Sequence, residues 1–219
     1  MFKSVQIIGH GRVGSAVRAR LAERGMRVED DHADLTLLCV PDSAIREVAR
    51  KIAPGPWVAH VSGATPLAAL EPHVRRFGVH PLQTFTRARG AEQFDGAWGA
   101  VTSDDAEGRV RGTWFAQLLG LRPFAIAEAD RVLYHAGAVV ASNYLVTLYR
   151  SASRLLAAAG APPEALVPLM RQTIENGFDL TGPIARGDWN TVDAHLAEIA
   201  RRAPDLVPMY RALADVTAP

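Results

Sequence analysis

The sequence lacks the features that would tie it to an oxidising compartment, a membrane or a polyanion. It has one cysteine, Cys39, in 219 residues, so no internal disulfide can form. Cys39 sits inside the apolar run Leu35-Thr36-Leu37-Leu38-Cys39-Val40 with no nearby His or Cys to share a metal. It is expected to be a small buried hydrophobe, and a reducing cytoplasm fits it. The formal net charge is +1, so no global field draws in nucleic acid or an acidic membrane. The basic residues are scattered, and the short pairs Arg75-Arg76 and Arg201-Arg202 read as solvated surface. No apolar run approaches the roughly 20 residues of a membrane span. The longest, 136–146, is broken by Ser142 and Asn143. Met1-Phe2-Lys3-Ser4 leads straight into a strand, so no signal peptide is expected. No two of His10, His32, His60, His73, His80, His135 and His195 stand at metal-ligand spacing, so no metal site is expected.

What is present is ordinary globular composition, 48% hydrophobic and 21% charged, with length for one large or two small domains. Short apolar, β-branched runs at 5–8, 26–29, 35–40, 57–61, 74–79, 97–102 and 122–126 read as strands. His80-Pro81 should end the fifth. Helical spacing appears at 15–24, with Gly25 just past its end, at 44–52, where Asp42 or Ser43 can cap, and at 106–119. Alternating strands and helices predict a mostly parallel sheet covered on both faces. From 130 to 159 the residue types favour one long helix. Further helices are expected at 163–175, 189–202 and 205–214. The fold class is therefore α/β, with a sheet domain at 1–127 and an all-helical domain at 128–219. No Gly/Ser-rich linker separates them, so close packing is expected.

The loop Gly9-His10-Gly11-Arg12-Val13-Gly14 follows the first strand and opens the first helix. In that setting GxGxxG is a dinucleotide-binding fingerprint and marks the sheet as Rossmann-like. One glycine permits the tight turn, the second lets backbone approach the pyrophosphate, and the third lets helix and strand pack closely. The helix N-terminus adds free N–H groups and a positive dipole end. Glu29, Asp30 and Asp31 stand where an acidic residue would bond the ribose. They lean toward NAD over NADP, while Arg12 and Arg27 offset the lean. The stretch from there to Leu35 is too short for the usual helix, which leaves the adenosine side open.

Ligands of open α/β sheets sit beyond the carboxyl ends of the strands. Three loops there carry suggestive chemistry. Val40-Pro41-Asp42-Ser43 and Val61-Ser62-Gly63-Ala64 would line the nicotinamide ribose, chiefly through Val40, Pro41, Ser62 and Gly63. His80-Pro81-Leu82-Gln83-Thr84-Phe85 offers His80, Gln83 and Thr84 at a strand end. On the long helix, at about 100° per residue, Arg131, His135, Ser142 and Tyr149 fall within about 40° of one another, with Asn143 on the flank. Exposed helices prefer Lys and Glu to such a stripe, so it reads as a site lining. Arg186, in the loop 180–188 before a helix capped by Asp188, could clamp a carboxylate.

The strings HPLQTF (His80 to Phe85), YHAGAVVASNYLVTL (Tyr134 to Leu148) and TGPIARGD (Thr181 to Asp188) resemble one family, the Rossmann-like proteins carrying the helical domain of unknown function 2520. With the glycine loop, the resemblance covers nearly the whole chain. That family is similar to pyrroline-5-carboxylate reductases, 6-phosphogluconate and β-hydroxyacid dehydrogenases, and prephenate dehydrogenases. The resemblance implies an NAD(P)-dependent oxidoreductase that dimerises through its helical domains, and it names no substrate. In the β-hydroxyacid relatives a Lys and a following Asn do the proton chemistry. Here Arg131 stands at the start of the long helix, where family members often carry Lys. Arginine stays charged and is a poor general acid. Proton transfer is then expected of His135, His80 or water, with Asn143 beside them. Gln83, Arg131, Ser142 and Arg186 would hold a small hydroxy acid, keto acid or imine. Two other readings stand beside this one: a dinucleotide-binding regulator without catalysis, and a fold relic that scaffolds a partner.

Overall fold

The computed structural model describes residues 1–218. It divides into two compact units, Met1–Val140 and Ala141–Pro219. Residues 128–140, the first part of the expected helical domain, group with the sheet unit instead of with the helices that follow.

The first unit is built on a seven-stranded sheet of order β2-β1-β3-β4-β5-β6-β7: β1 Ser4–Ile8, β2 Arg27–Val28, β3 Leu35–Leu38, β4 Trp57–His60, β5 Arg76–Leu82, β6 Trp98–Thr102 and β7 Arg122–Ala125. The first five strands are mutually parallel, β6 is antiparallel to β5, and β7 is parallel to β6. The sheet is thus mostly parallel, as its pattern of strands and helices predicts. Side chains alternate between faces along each strand. Val5, Ile7, Leu35, Leu37, Ala59, Phe77 and Val79 bury one face against Ala16, Val17 and Leu21 of α1 (Arg12–Glu23) and Phe115, Ala116 and Leu119 of α3 (Ala106–Leu119). Leu38 and Val58 point to the other face and meet Ile45, Ala49, Leu67 and Leu70. Asp105 caps α3, its carboxylate accepting from Gly108 N at 2.7 Å, and Gly120 at φ +94° ends it.

Three departures from the sequence reading have local causes. Neither Asp42 nor Ser43 caps a helix with its side chain. Instead Asp42–Ala44 forms a 3-10 turn that shortens α2 to Ile45–Ala49. Strand β5 runs through His80-Pro81 to Leu82 because β6 pairs with it as far as Leu82↔Trp98. Pairing with β4 stops at Gly78, so Pro81 lies where the strand is bonded on one side only, a setting that tolerates proline. Finally, the single long helix is α4 (Arg131–Val139), a π turn (Val140–Tyr144) and α5 (Leu145–Ala158). A π turn inserts about one residue, or about 100° of phase, into the helical wheel. The polar stripe read at 100° per residue therefore loses its basis beyond Val140.

No helix stands between β2 and β3, as expected. Beside this bare strip of sheet, half-buried Gln6 and buried Thr36, 3.0 Å apart, line a groove of about 1100 Å³. Gln6 Nε2 also donates to the Asp30 carbonyl, holding the short connection against β1.

In the second unit α5 is followed by α6 (Leu166–Glu175), α7 (Gly182–Ala185), α8 (Trp189–Arg202) and α9 (Val207–Thr217). Segment 180–188 is not the plain loop expected, since it contains α7. Asp188 does cap α8, accepting from Thr191 N at 3.2 Å. Ile199, Ala203 and Leu206 form a small core with Leu155 and Tyr210, and Arg154 makes two bonds of 2.8 and 2.9 Å to Asp205. No described helix is long and apolar enough to cross a membrane.

Phe77 is fully buried among Phe2, Trp57 and Phe115. Phe77→Ala is expected to destabilise the chain by about 3–5 kcal/mol, measured by urea unfolding. A loss below about 1 kcal/mol would show that this cluster is not the organising core.

Candidate active site

The carboxyl ends of β1, β3, β4 and β5 lie along one edge of the sheet, since these strands are parallel. Strand order reverses between β1 and β3, the crevice where such sheets bind ligands. There Gly9 has φ +114°, and a Cβ on it would overlap the Cys39 carbonyl at the end of β3. A Cβ on Gly14 would overlap the Gly9 carbonyl, and that position also meets the Cys39 Cβ at 3.1 Å. Space at Gly11 is open. The two outer glycines close the loop onto the sheet, while the middle one faces outward at the N-terminus of α1. That is the cradle a pyrophosphate needs. His10 and Arg12 are exposed on the loop, Val13 packs against the core, and Ser15 Oγ donates to the His10 carbonyl at 3.3 Å. Cys39 is half-buried rather than fully so, and burial pushes its thiol up to about 12.

Two strands over, the chain gathers three histidines around Gly63 and Gly78. His60 ends β4 and is fully buried, with neither ring nitrogen bonded among the described residues. His80 lies on β5, and its Nδ1 is 2.7 Å from the Tyr134 hydroxyl. His135, on α4, crosses His80 edge to face at 5.6 Å. A Cβ on Gly63 would stand 2.5 Å from His135 Nδ1 and 3.0 Å from His80 Nε2. Glycine is needed there because two imidazoles converge on its α-carbon. His135 Nδ1 is buried and has no hydrogen-bond partner among the described residues.

Arg131 holds this arrangement from below. Its side chain is 3% exposed, and Nη2 donates to the Ser62 carbonyl at 2.6 Å. Nη1 occupies the space that a side chain on Gly78 would fill. Glu128 lies 3.9 Å from Arg131 Nε and accepts from Leu67 N at 2.8 Å. Burial pulls the Arg131 guanidinium below its usual range, against the opposing charge of Glu128. Burial, then Arg131, lowers His60 to about 3. Burial, His135 and Arg131 lower His80 to about 4, against a smaller upward pull from Asp42. Burial raises Tyr134 to about 12.

These facts revise several sequence expectations. Arg131 is enclosed and bonded to backbone, so it supports the site from within instead of standing on a stripe open to a substrate. The Ser62 hydroxyl is spent on its own turn, accepting from Thr65 N at 3.0 Å and donating to Thr65 Oγ1 at 2.9 Å. Ser62 therefore shapes the Gly63 loop instead of lending its hydroxyl to a ribose. Gln83 turns back on Thr84, whose N donates to Gln83 Oε1 at 2.8 Å. Val40 and Pro41 follow β3 beside the glycine loop. Ser142, Asn143 and Arg186 belong to the second unit, where Ser142 Oγ donates to Asn143 Oδ1 at 2.9 Å and Arg186 is exposed after α7. The sequence reading missed His60, Tyr134 and Glu128 as parts of the cluster. A histidine closing the fully apolar strand Trp57–His60 was the available signal for His60.

Both depressed histidines stay neutral in the fold at pH values where an unfolded chain, with histidines near ~6.5, takes up protons. Stability is thus full above ~6.5 and falls as pH drops toward the folded values, by up to about 1.4 kcal/mol per pH unit per histidine. Urea unfolding between pH 6.5 and 5, above most carboxylate titration, should show this fall, and His60→Leu should flatten it. Stability independent of pH across that window would contradict neutral burial.

The family described as domain of unknown function (DUF2520) matches residues 97–217, from β6 through α9 and including Tyr134 and His135. No curated protein matches the sequence. Several solved structures share the fold. A candidate NADP oxidoreductase of Bacteroides fragilis is 22% identical with TM-score 0.81, covering 98% of this chain and 97% of that one. A Thermotoga maritima protein is 23% identical with TM-score 0.78, covering 97% and 96%. The 1-pyrroline-5-carboxylate reductase of Streptococcus pyogenes is 16% identical with TM-score 0.61, covering 98% and 96%. These likenesses establish a Rossmann-type fold. The family match spans more than half of the residues, so the chain belongs to the DUF2520 family.

Proposed function

We propose that this protein is an NAD(P)-dependent dehydrogenase or reductase acting on a small polar substrate, a hydroxy acid, keto acid or imine. One observation carries the reading. The glycine cradle and the convergence of His80 and His135 on Gly63 share the carboxyl edge of one parallel sheet. The residues fit a dinucleotide, because Gly9 and Gly14 close the loop and Gly11 leaves it open. A bound nicotinamide would supply or accept hydride. The cradle would hold the pyrophosphate, and the loops at Val40-Pro41 and Gly63 would flank the ribose. His135 is the acid/base, able to hold or release a proton at the unpartnered Nδ1. Two proteins of similar fold support the same reading, the candidate NADP oxidoreductase of Bacteroides fragilis and a semialdehyde dehydrogenase NAD-binding protein of Cupriavidus necator in complex with NAD.

We further propose a homodimer formed through the helical unit. Leu145, Val146, Val167 and Ile174 are exposed there along an apolar groove of about 530 Å³, with Leu169 and Phe178 also exposed. Light scattering behind size exclusion should return twice the 23.6 kDa chain mass. A monomer at micromolar concentration would overturn the dimer.

Gly11→Asp tests the cofactor. Open space at Gly11 lets the variant fold, but its carboxylate would repel a phosphate. The ligand-free melting temperature should hold, while the stabilisation by NADPH or NADH should vanish. If neither dinucleotide stabilises the parent chain, the reading fails. His135→Ala should lower turnover by about 10²–10⁴-fold with dinucleotide affinity unchanged. Unchanged turnover would remove His135 from the chemistry, and dinucleotide binding with no turnover of any acid or imine would favour a regulatory binder.

A further inference from the structure

His80 and His135 stand over the same glycine, yet their surroundings differ in one respect. His80 has its second ring nitrogen bonded to Tyr134 and His135 has Nδ1 unpartnered. The Tyr134 hydroxyl has no other hydrogen-bond partner among the described residues. It is held edge-on by Phe124 at 5.8 Å and by the His80 ring at 5.5 Å. A phenol is the stronger donor of this pair and an imidazole nitrogen the stronger acceptor. Were His80 Nδ1 to donate instead, the phenol O–H would have to find its acceptor outside the described residues.

We propose that Tyr134 donates to His80 Nδ1 and thereby fixes His80 as a neutral imidazole whose Nε2–H opens over Gly63, where it grips the oxygen of an aldehyde, ketone or alcohol. This rests on the reductase reading above and narrows its substrate class. Tyr134 is the positioning residue and His80 the group that touches substrate. His80 gives up no proton in this role, which leaves proton exchange to His135.

The charges around His80 agree. Arg131 lies beneath it, His60 and His135 flank it, and Asp42 is the one carboxylate whose pull it feels. Burial, with Arg131 and His135 beside the ring, keeps a second proton off it. A neutral N–H donor above a buried cation suits an oxygen that gains negative charge as hydride arrives. It opposes a protonated imine, which brings a positive charge to the same place.

The test is the imidazole nitrogen spectrum of the whole chain labelled with ¹⁵N-histidine, with the His80 signals identified by their loss in His80→Gln. Between pH 5 and 8, His80 is expected to show a protonated Nε2 and a bare Nδ1 throughout. Tyr134→Phe should mix the two tautomers and lower kcat at least about tenfold, with NADPH affinity unchanged. An Nδ1–H tautomer, an imidazolium titrating near pH 6.5, or a tautomer unmoved by Tyr134→Phe would each overturn the proposal. Turnover provides a separate arm. With NADPH, glyoxylate and succinic semialdehyde should be reduced ahead of 1-pyrroline-5-carboxylate, and the reverse order overturns the carbonyl assignment. Turnover of none of them sinks the reductase reading, and the spectrum alone then decides the state of His80.

Discussion

The Arg131 side chain is buried between the turn after β4, Gly78 of β5 and the start of its own helix, and most of the site is arranged around it. One arm holds the carbonyl of Ser62, which fixes the turn carrying Gly63. The other fills the place of a side chain on Gly78, next to His60 in the sheet register. Because Arg131 begins α4, the same anchor places Tyr134 and His135, three and four residues on, one turn along the helix. A planar fork with several donors can make these attachments at once, which a single ammonium on a flexible stem cannot.

Burying a cation is costly unless it is paired and hydrogen-bonded. Here the compensation is incomplete, since Glu128 stands 3.9 Å from Nε, which has no hydrogen-bond partner. The uncompensated field is felt by the histidines instead. His60 and His80 are both held neutral, by burial first and by this cation among the other causes. The result is a site with polar contacts and little mobile charge. Charge that appears beside these two rings is met without His60 or His80 taking up a proton.

Much of this was legible in the residues, and the failures have physical reasons. The glycine loop could be read because its function demands three positions without side chains at fixed spacing. His80 and His135 could be read separately, one from its strand and one from its helix, but their meeting over Gly63 is a tertiary fact that no periodicity carries. Arg131 reads from the sequence as a substrate contact because it lies on the polar stripe, and only packing shows it enclosed. The π turn left no mark in the sequence, as a one-residue change in winding alters no composition. The strand through Pro81 was cut short for a related reason: whether a missing N–H matters depends on which neighbour is bonded there. His60 was overlooked because an isolated histidine in an apolar run resembles packing.

Gly78 and Arg131 lie more than fifty residues apart, yet they are two halves of one fitted joint. The guanidinium rests in the room left by the missing side chain, and a methyl group on residue 78 would stand 2.9 Å from Nη1. Neither position is free to drift alone. Descendants of this sequence would be expected to change both together, a bulkier residue at 78 accompanied by a shorter one at 131, so the joint should surface in an alignment as a covarying pair.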